Sequence, residues 1–366
     1  MTRILKTVWL IINLVASAAL LLSGYGGHIN PATWPIGGIA LMIFPLLLAV
    51  IVLIILIDLA TWRRLTFLPT FSLLICAPAI WSICPLNISR PKASPSEQAL
   101  SVMTYNVYNF YDVHKPDSCQ NSINTYTTII AADADIVCLQ ESPPILNSAG
   151  WGKPELRDSV MALYPYRTNN ETQNIWSKYP FEIIDMPLTG EPTAIFQCAR
   201  VQVNDSEIMV YNVHLQSIGL STEDKELYDN LTSKPTTHYI EEGRGLISKI
   251  TQAMKKRAEH AQILHQVIDS IGGERIIVCG DFNDIEGCYA ERCIADHRLR
   301  SLYTSVGFGP VITYYVNRFY FNIDHILYGG LKPLTYECIK VKASDHYPVK
   351  GTFAIPSAVN QSNSQP

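Results

Sequence analysis

One stretch near the start of the chain restricts its fold more than any other feature. From Thr7 to Ile57 there is no Lys, Arg, Asp or Glu, in a chain of 366 residues of which 16% are charged. A helix needs about 20 apolar residues to cross the hydrocarbon core of a bilayer. The charge-free stretch has room for two such crossings, so the sequence predicts a membrane region.

Three apolar runs are candidate transmembrane helices. They are Ile4–Ser23, Ile36–Leu59 and a Pro-containing run from Leu65 to about Leu86. Gly and Pro between the first two runs would end a helix, whereas the prolines of the third run are tolerated in membrane helices. Buried core helices are the first alternative, but the runs are long and poor in charge for that. A cleaved signal peptide is the second, with Ala16-Ser17-Ala18 as the cleavage site, but apolar residues continue beyond it.

The basic residues of the short loops predict the orientation of these helices. Arg3 and Lys6 precede the first run, the first loop has no Lys or Arg, and the second loop contains Arg63 and Arg64. This alternation predicts a cytoplasmic N-terminus and, after three crossings, a C-terminal part on the extracytoplasmic side. Arg90, beyond the third run, argues weakly for the opposite side.

The remainder of the chain has the composition of an acidic globular domain. Residues 1–90 hold five of the 28 basic and one of the 32 acidic residues, which leaves a net charge of −8 on residues 91–366. We predict a membrane region over 1–87, a Ser- and Pro-rich linker over 88–99, a globular domain over 100–355 and a disordered tail over 356–366. The acidic balance disfavours broad nucleic-acid binding, because phosphate neutralisation dominates that affinity.

Short β-branched runs alternate with polar segments in the globular domain, which is typical of strands. The candidate strands are Leu100–Val107, Ile136–Gln140, Gln173–Trp176, Ala194–Val203, Ile208–Leu215, Arg275–Gly280, Ile323–Leu327 and Val349–Phe353. Ile123–Ala132 and Leu246–Ile268 are candidate helices, and the second has apolar residues at helical spacing. The pattern predicts an α/β (α+β) four-layer sandwich of two packed sheets flanked by helices.

Two other features have modest implications. The nine cysteines include no CxxC pair, which argues against a zinc site. Cys288 and Cys293 are near enough in sequence for a disulfide, but sequence does not fix the required geometry and we expect free thiols. The polar, acidic insertion over residues 217–245 is either a solvated excursion, which we favour slightly, or a loop on the substrate side.

Polar side chains gather at the ends of the predicted strands. They are Asn106 in TYN, Glu141 in LQE, His214 in NVHL, Asp281 and Asn283 in GDFN, Asp324 in IDHI, and Asp345 and His346 in SDHYP. An Asp after a strand is commonly just a turn residue, so each motif alone is weak. Together they combine the oxygen ligands that Mg²⁺ prefers with histidines that exchange protons near neutral pH. The set therefore predicts a metal-assisted reaction on a phosphate ester.

The ordered motifs TYNV, LQE, NVHL, GDFND, IDHI and SDHYPV resemble those of the endonuclease/exonuclease/phosphatase superfamily, over about residues 100–355. With its apolar N-terminal helices, the chain is similar to the membrane-anchored bacterial members. The resemblance implies hydrolysis of a phosphodiester or phosphomonoester with Mg²⁺, which Mn²⁺ can replace. It leaves a phospholipid headgroup and nucleic acid open as substrates, and implies the bilayer but no protein as a partner.

The resemblance also implies residue roles. Asn106, Glu141 and Asp345 correspond to the residues at the metal. Asp281 corresponds to the residue that orients or deprotonates the attacking water, and Asn283 to an amide that holds water and phosphate.

Three further residues complete the implied set. His346 corresponds to the histidine on the scissile phosphate, Asp324 to the carboxylate that orients it, and His214 to a second phosphate contact or proton donor. We expect the neighbouring His325 and Tyr347 to serve packing or hydrogen bonding. The alternative function is a catalytically silent membrane-tethered binding module on the same fold, which the complete residue set disfavours.

Overall fold

The computed structural model describes residues 3–89, 91–111, 120–144, 154–184, 195–219, 224, 237–316 and 320–356. Contacts divide the chain into two compact units. The helical unit comprises Met1–Cys84, Ile218–Glu259 and Ile285–Cys293, and the sandwich unit comprises Pro85–Ser217, His260–Asp284 and Ile294–Pro366. Most of the predicted insertion over 217–245 and the predicted tail after residue 356 lie outside the described residues. The predicted domain boundaries stay predictions.

The N-terminal part of the helical unit follows the predicted apolar runs. Its helices are α1 (Arg3–Gly24), α2 (Ile36–Met42), α3 (Phe44–Thr61), α4 (Phe67–Ile75) and α5 (Ala77–Ile83). Within the described residues, Arg3–His28 and Phe44–Thr61 are long and apolar enough to cross a membrane. The segments that contain α4 and α5 bend by 58° and form a third candidate if they count as one span.

The predicted second span is wrong as one continuous helix from Ile36. The helix breaks at Ile43, and α3 begins with Pro45 in its first turn. Proline has no backbone N–H and its ring blocks the preceding turn, so it fits at a helix start and ends the helix before it. Pro78 has the same position at the start of α5.

Helices α1 and α3 run antiparallel through close side-chain contacts. At one end the Trp9 Nε1–H donates to Asp58 Oδ1 over 2.6 Å. At the other end, a Cβ on Gly24 would stand 3.0 Å from a ring atom of Phe44. Asp58 is fully buried, and its Oδ2 has no hydrogen-bond partner among the residues that the structure describes. The helix pair therefore encloses a carboxylate with one donor.

The helical unit also includes residues from far along the chain. A Cβ on Gly27 would lie 2.0 Å from the carbonyl oxygen of Gly287, so the two backbones touch. The Asn30 amide donates to the Tyr289 hydroxyl over 3.2 Å. The segment Ile285–Cys293, which directly follows the GDFND motif, thus packs against the loop after α1.

The sandwich unit contains two mixed sheets. The strands are β1 (Gln98–Asn106), β2 (Ile136–Gln140), β3 (Tyr166–Arg167), β4 (Gln173–Ser177), β5 (Phe181–Ile183), β6 (Phe196–Val203), β7 (Ser206–His214), β8 (Ile276–Asp281), β9 (Arg300–Ser301), β10 (Asp324–Gly329), β11 (Lys332–Cys338) and β12 (Val349–Ile355). Among the described residues, one sheet has the order β11-β12-β1-β2-β4-β3 and the other β5-β6-β7-β8-β10-β9. The remaining helices are α6 (Gln120–Ala132), α7 (Pro154–Leu163), α8 (Thr237–Ile271), α9 (Tyr289–Ala295) and α10 (Leu302–Val306). The predicted sandwich of two sheets with helices is confirmed.

Each sheet has a parallel strand pair that positions polar residues. β1 is parallel to β2, with Asn106 opposite Gln140, and β7 is parallel to β8, with His214 opposite Asp281. Because parallel strands end at the same edge, the residues that finish them become neighbours. Antiparallel β10 then places Asp324 opposite Asp281.

A buried apolar core lies behind these strand ends. It includes Val102, Cys138, Val210 and Cys279. All eight predicted strands exist, with ends within two residues of the predicted ones. The sequence did not predict the two-residue strands, the short β5, the edge strand β11 or helix α7. Cys288 and Cys293 have free thiols.

Candidate active site

Asp281, the last residue of β8, is the centre of the polar cluster. It is 1% exposed. Its Oδ1 accepts the backbone N–H of Asn283 over 2.8 Å, and its Oδ2 accepts the Asn106 amide over 3.0 Å. The same Oδ2 lies 3.8 Å from Nε2 of His214. Donors from a loop and a neighbouring sheet thus hold this buried carboxylate in place, as burial of a charge requires.

Glu141 lies directly after β2 and takes a left-handed backbone conformation, with φ +47°. Its Oε1 accepts the Asn106 amide over 3.1 Å and lies 3.9 Å from Nε2 of His214. Asn283 also has positive φ, +52°, and its amide donates to the Leu215 carbonyl over 3.0 Å. Positive φ angles are uncommon in residues other than glycine, and residues with such strained backbones are found preferentially at functional sites.

His346 forms a buried hydrogen-bonded pair with Asp324. Its Nδ1 lies 2.7 Å from Asp324 Oδ2, and its Nε2 lies 3.6 Å from Asp281 Oδ2. Burial alone lowers the pKa of His346, but Asp324, Asp281 and Asp345 together outweigh that effect and raise the pKa well above its usual value. The shift favours the imidazolium form of His346, in which Nε2 carries a proton beside Asp281.

Asp345 belongs to the same cluster. Its Oδ1 accepts the Ser344 hydroxyl over 3.1 Å. Burial, followed by the charges of Glu141 and Asp281, raises the pKa of Asp345 to about 6, although His346 opposes the shift. The oxygens of these three carboxylates thus repel one another. A donor set of carboxylate and amide oxygens with excess negative charge fits a hard divalent cation.

A different group of residues in the cluster meets a distance requirement for holding a metal. Within the described part of the chain, Asp281, Asp324 and His346 offer ligand atoms that lie within 4.8 Å of one another. The short His346–Asp324 hydrogen bond already uses two of these groups. We therefore keep Asn106, Glu141 and Asp345 as the predicted metal ligands, and the structure brings all eight predicted site residues to one edge of the sheets.

A buried polar network lies beneath the cluster and was not predicted from the sequence. Gln140 donates its amide to Asn212 Oδ1 over 2.6 Å, and the Asn212 amide donates to the carbonyls of Leu139 and Asn174 over 3.0 and 3.1 Å. Asn212 is fully buried in β7. The network joins the two sheets directly behind Glu141 and His214. A polar residue inside the apolar strand IMVYNVH was the available signal.

The sequence did not predict roles for Thr313 and Tyr314, which lie close to His346 and Asp324. It predicted that His325 packs or forms hydrogen bonds. The Thr313 hydroxyl accepts the backbone N–H groups of Ile323 and Asp324, over 2.9 and 3.1 Å, and thereby fixes the start of β10. The ring of Tyr314 meets His346 edge-on, with centroids 5.0 Å apart. His325 bonds the Asp284 carbonyl over 2.8 Å, and its ring meets Phe282 edge-on with centroids 5.0 Å apart.

The fold and this site define a class of protein, namely a hydrolase of phosphate esters. A sequence profile of the Endonuclease/Exonuclease/phosphatase family matches residues 103–346, and the chain belongs to that family. Residues 4–83 match a family described as a domain of unknown function. No curated protein sequence matches the chain.

Solved structures with the same fold are distant in sequence. A family protein from Beutenbergia cavernae is 17% identical, with TM-score 0.48, over 71% of this chain and 72% of the other. One from Bacteroides thetaiotaomicron is 14% identical, with TM-score 0.46, over 72% and 100%. A humanized TDP2 from D. rerio is 14% identical, with TM-score 0.45, over 70% and 98%.

Proposed function

We propose that the chain is a membrane-anchored, Mg²⁺-dependent phosphoesterase that hydrolyses its substrate by in-line attack of water on phosphorus. One observation supports this most directly. The buried Asp281 carboxylate faces Nε2 of His346 at 3.6 Å and Nε2 of His214 at 3.8 Å. In this arrangement the Asp281 carboxylate can accept a proton from water, and a neighbouring histidine can donate a proton to the phosphate.

In this proposal each residue acts through the contacts described. Asp281, held by Asn106 and Asn283, accepts the proton of the attacking water. His346, held by Asp324, donates to a phosphate oxygen, where negative charge grows as the water–phosphorus bond forms. His214 is placed to contact the phosphate or to protonate the leaving oxygen. Preorganised donors of this kind supply much of the acceleration in enzymes.

The proposed metal ligands are Glu141, Asp345 and Asn106. A bound Mg²⁺ would stabilise the negative charge that develops on the phosphate oxygens. The raised pKa of Asp345, which follows first from burial and then from the charges of Glu141 and Asp281, supports a cation at this position. Mn²⁺ also prefers oxygen ligands and would substitute.

A membrane lipid headgroup is the substrate class that the chain favours over nucleic acid. The apolar helices α1 and α3 support attachment to a bilayer, which raises the local concentration of headgroups. The net charge of −8 on residues 91–366 opposes the phosphate neutralisation on which nucleic-acid affinity depends. We propose the extracytoplasmic side for the sandwich unit, from the loop charges described above.

Hydrolysis by the full chain in detergent tests this proposal. Phospholipids, sphingomyelin, RNA and plasmid DNA are assayed with Mg²⁺, with Mn²⁺ and with a chelator. Asp281→Asn and His346→Ala should abolish turnover. Asp158→Asn and His297→Ala change the same residue types at exposed positions, 66% and 98% exposed, and should not.

The outcomes separate the proposed enzyme from the binding module. Metal-dependent turnover of one substrate, lost in both site variants only, would support the enzyme and identify its substrate class. A folded chain that neither turns over any substrate nor binds Mg²⁺ in calorimetry would refute it and favour the binding module. Turnover that survives Asp281→Asn would refute the assigned base.

A further inference from the structure

Four side chains form a stack beside the catalytic segment. The rings of Tyr315 and Tyr347 lie face to face, with centroids 4.2 Å apart and planes 16° from parallel. Lys340 Nζ lies 4.5 Å from the Tyr347 centroid, and Lys342 Nζ lies 6.0 Å from the Tyr315 centroid. Because each inner ring face is covered by the other tyrosine, the two ammonium groups lie on the outer faces.

The stack is attached directly to the residues of the cluster. The Tyr315 backbone N–H donates to the Asp345 carbonyl over 3.3 Å, and its hydroxyl donates to the Ser344 carbonyl. Tyr347 follows His346, and its N–H donates to the Thr313 carbonyl over 2.7 Å. The stack therefore holds a constant position relative to Asp345 and His346.

The two ammonium groups differ in their partners. Lys340 Nζ donates to the Ile312 carbonyl over 2.7 Å. Lys342 is exposed and has neither a hydrogen bond nor an ion pair with any residue that the structure describes. A lysine side chain is flexible and loses conformational entropy when it binds a ligand. The cation–π contact of Lys342 already restricts the side chain, so less entropy is lost on binding. The Lys342 ammonium group therefore has a restricted position and N–H groups without a described acceptor. In an acidic domain, such a group favours an anionic ligand.

The geometry also argues against one class of ligand. Ring stacking of a nucleobase or sugar needs an open aromatic face, whereas each ring here has the other tyrosine on one face and a lysine ammonium group over the other. An ammonium group instead binds phosphate by charge-assisted hydrogen bonds. The ligand chemistry that fits the stack is therefore a phosphate group.

We propose that Lys342, supported by the stack, binds a second phosphate group of the substrate while the cluster binds the scissile one. This inference rests on the proposed phosphoesterase function and adds a specificity residue to it. The substrate class is a phosphate ester with another phosphate group a few bonds away. Such a group occurs in phosphorylated lipid headgroups and in nucleotides with a terminal phosphate.

The test compares matched substrates with one and two phosphate groups. Full-length protein in detergent with Mg²⁺ receives phosphatidylinositol or phosphatidylinositol 4-phosphate in mixed micelles, and dithymidine monophosphate with or without a 5′-phosphate. We expect kcat/KM to favour the second phosphate in one arm, which identifies its source. Lys342→Gln should reduce that preference about three- to tenfold, chiefly through KM, and Lys342→Arg should retain it.

Lys332→Gln is the matched control. It also removes one lysine charge, at the start of β11, where Lys332 pairs with Glu97 over 3.1 Å. It should leave the preference unchanged. High ionic strength should weaken the preference in the wild type, because the Lys342 ammonium is exposed to solvent.

The results distinguish this inference from the proposed function. Turnover of the single-phosphate substrates without any preference for the second phosphate would overturn the Lys342 subsite and leave the phosphoesterase intact. A preference that Lys342→Gln leaves unchanged would do the same. Absence of metal-dependent turnover in all arms, by a folded chain that also fails to bind Mg²⁺ in calorimetry, would overturn the phosphoesterase proposal, and the subsite with it.

Discussion

Two buried aspartates, one in each unit, show how differently helices and strand ends treat a carboxylate. Asp281 in the sandwich unit receives hydrogen bonds on both oxygens, from Asn283 and Asn106. Asp58 in the helical unit receives one, from Trp9, and its Oδ2 has no partner. Their exposed fractions are nearly equal, 1% and 0%. Burial alone therefore does not decide how well a carboxylate is satisfied.

The difference follows from where backbone donors are available. Inside a helix each N–H bonds to a carbonyl one turn earlier, so only side chains remain to satisfy Asp58. At a strand end the chain turns, and its free N–H groups and short side chains surround Asp281. Strand ends can thus hold a buried carboxylate that a helix interior holds poorly. Substitutions in the two units therefore test this contrast.

The largest expected effect is on catalysis by the sandwich unit. Asp324→Asn removes the charge that holds His346 and supports its proton. Turnover of whichever substrate the detergent assay identifies should fall by about 10²- to 10⁴-fold. Steady-state kinetics on the purified full chain measures this. Asp158→Asn is the exposed control, and equal activity of Asp324→Asn and wild type would disprove the role of the His346–Asp324 pair.

Replacing a buried amide should have opposite consequences in the two units. Asn212→Leu removes one acceptor from the Gln140 amide and the donor to two buried carbonyls, so the free energy of unfolding should drop by about 1–3 kcal/mol. Asn13→Leu in α1 removes an amide whose Oδ1 is already unpartnered, so it should be neutral or stabilising. Denaturation in detergent compares the two. An equal loss in both would contradict the contrast.

Removal of the single donor to Asp58 should cost less than the loss of the Asn212 network. Trp9→Phe keeps an aromatic ring but leaves Asp58 without a described donor, so stability should fall by about 1–2 kcal/mol. Asp58→Asn is the matched variant, because its amide oxygen still accepts from Trp9. Thermal melts in detergent should place Asp58→Asn nearer the wild type. The reverse order would show that the Trp9–Asp58 bond contributes little.

The smallest expected effect on the free energy of unfolding comes from Asp133, an exposed carboxylate with which the two buried aspartates can be compared. The hydrogen bond from Lys178 lowers the pKa of Asp133, with Lys178 Nζ 2.6 Å from Oδ1. Stabilisation by this pair is therefore present above the unfolded pKa and is lost as pH falls through the lowered folded value. Because Asp133 is 67% exposed, solvent screening limits the contribution to about 0.2–1 kcal/mol. Asp133→Asn should reduce the acid-dependent part of the unfolding free energy; an unchanged pH dependence would contradict this.

The sequence predicted the parts of the site that local pattern encodes. An apolar strand followed by Asn, Glu or Asp is visible within a few residues, and the register of β1, β2, β7 and β8 then brings those residues together. The left-handed backbone of Glu141 was not visible, because nothing in LQES requires it. Tyr315 reaches Ser344 and Asp345 from 29 and 30 positions away in the chain, which no local pattern reports.

The elements that were missed share weak or interrupted patterns. The edge strand β11 contains Pro333 and alternates only in part, since an edge strand buries little of either face. The break at Ile43 depends on Pro45 inside an otherwise uniform apolar run. Hydropathy alone therefore predicted the length of that run correctly but not its division into two helices.

The strand order has a consequence for the chain during its synthesis. β1, the first strand of its sheet to be made, lies between β2 and β12, and β12 is the last strand in the described sequence. Asp345 and His346 lie directly before β12. A growing polypeptide therefore cannot assemble the cluster until nearly all of the sandwich unit has left the ribosome. If the cluster is the active site, as we propose, partly made chains are hydrolytically silent, and activity begins only when the final strand pairs with the first.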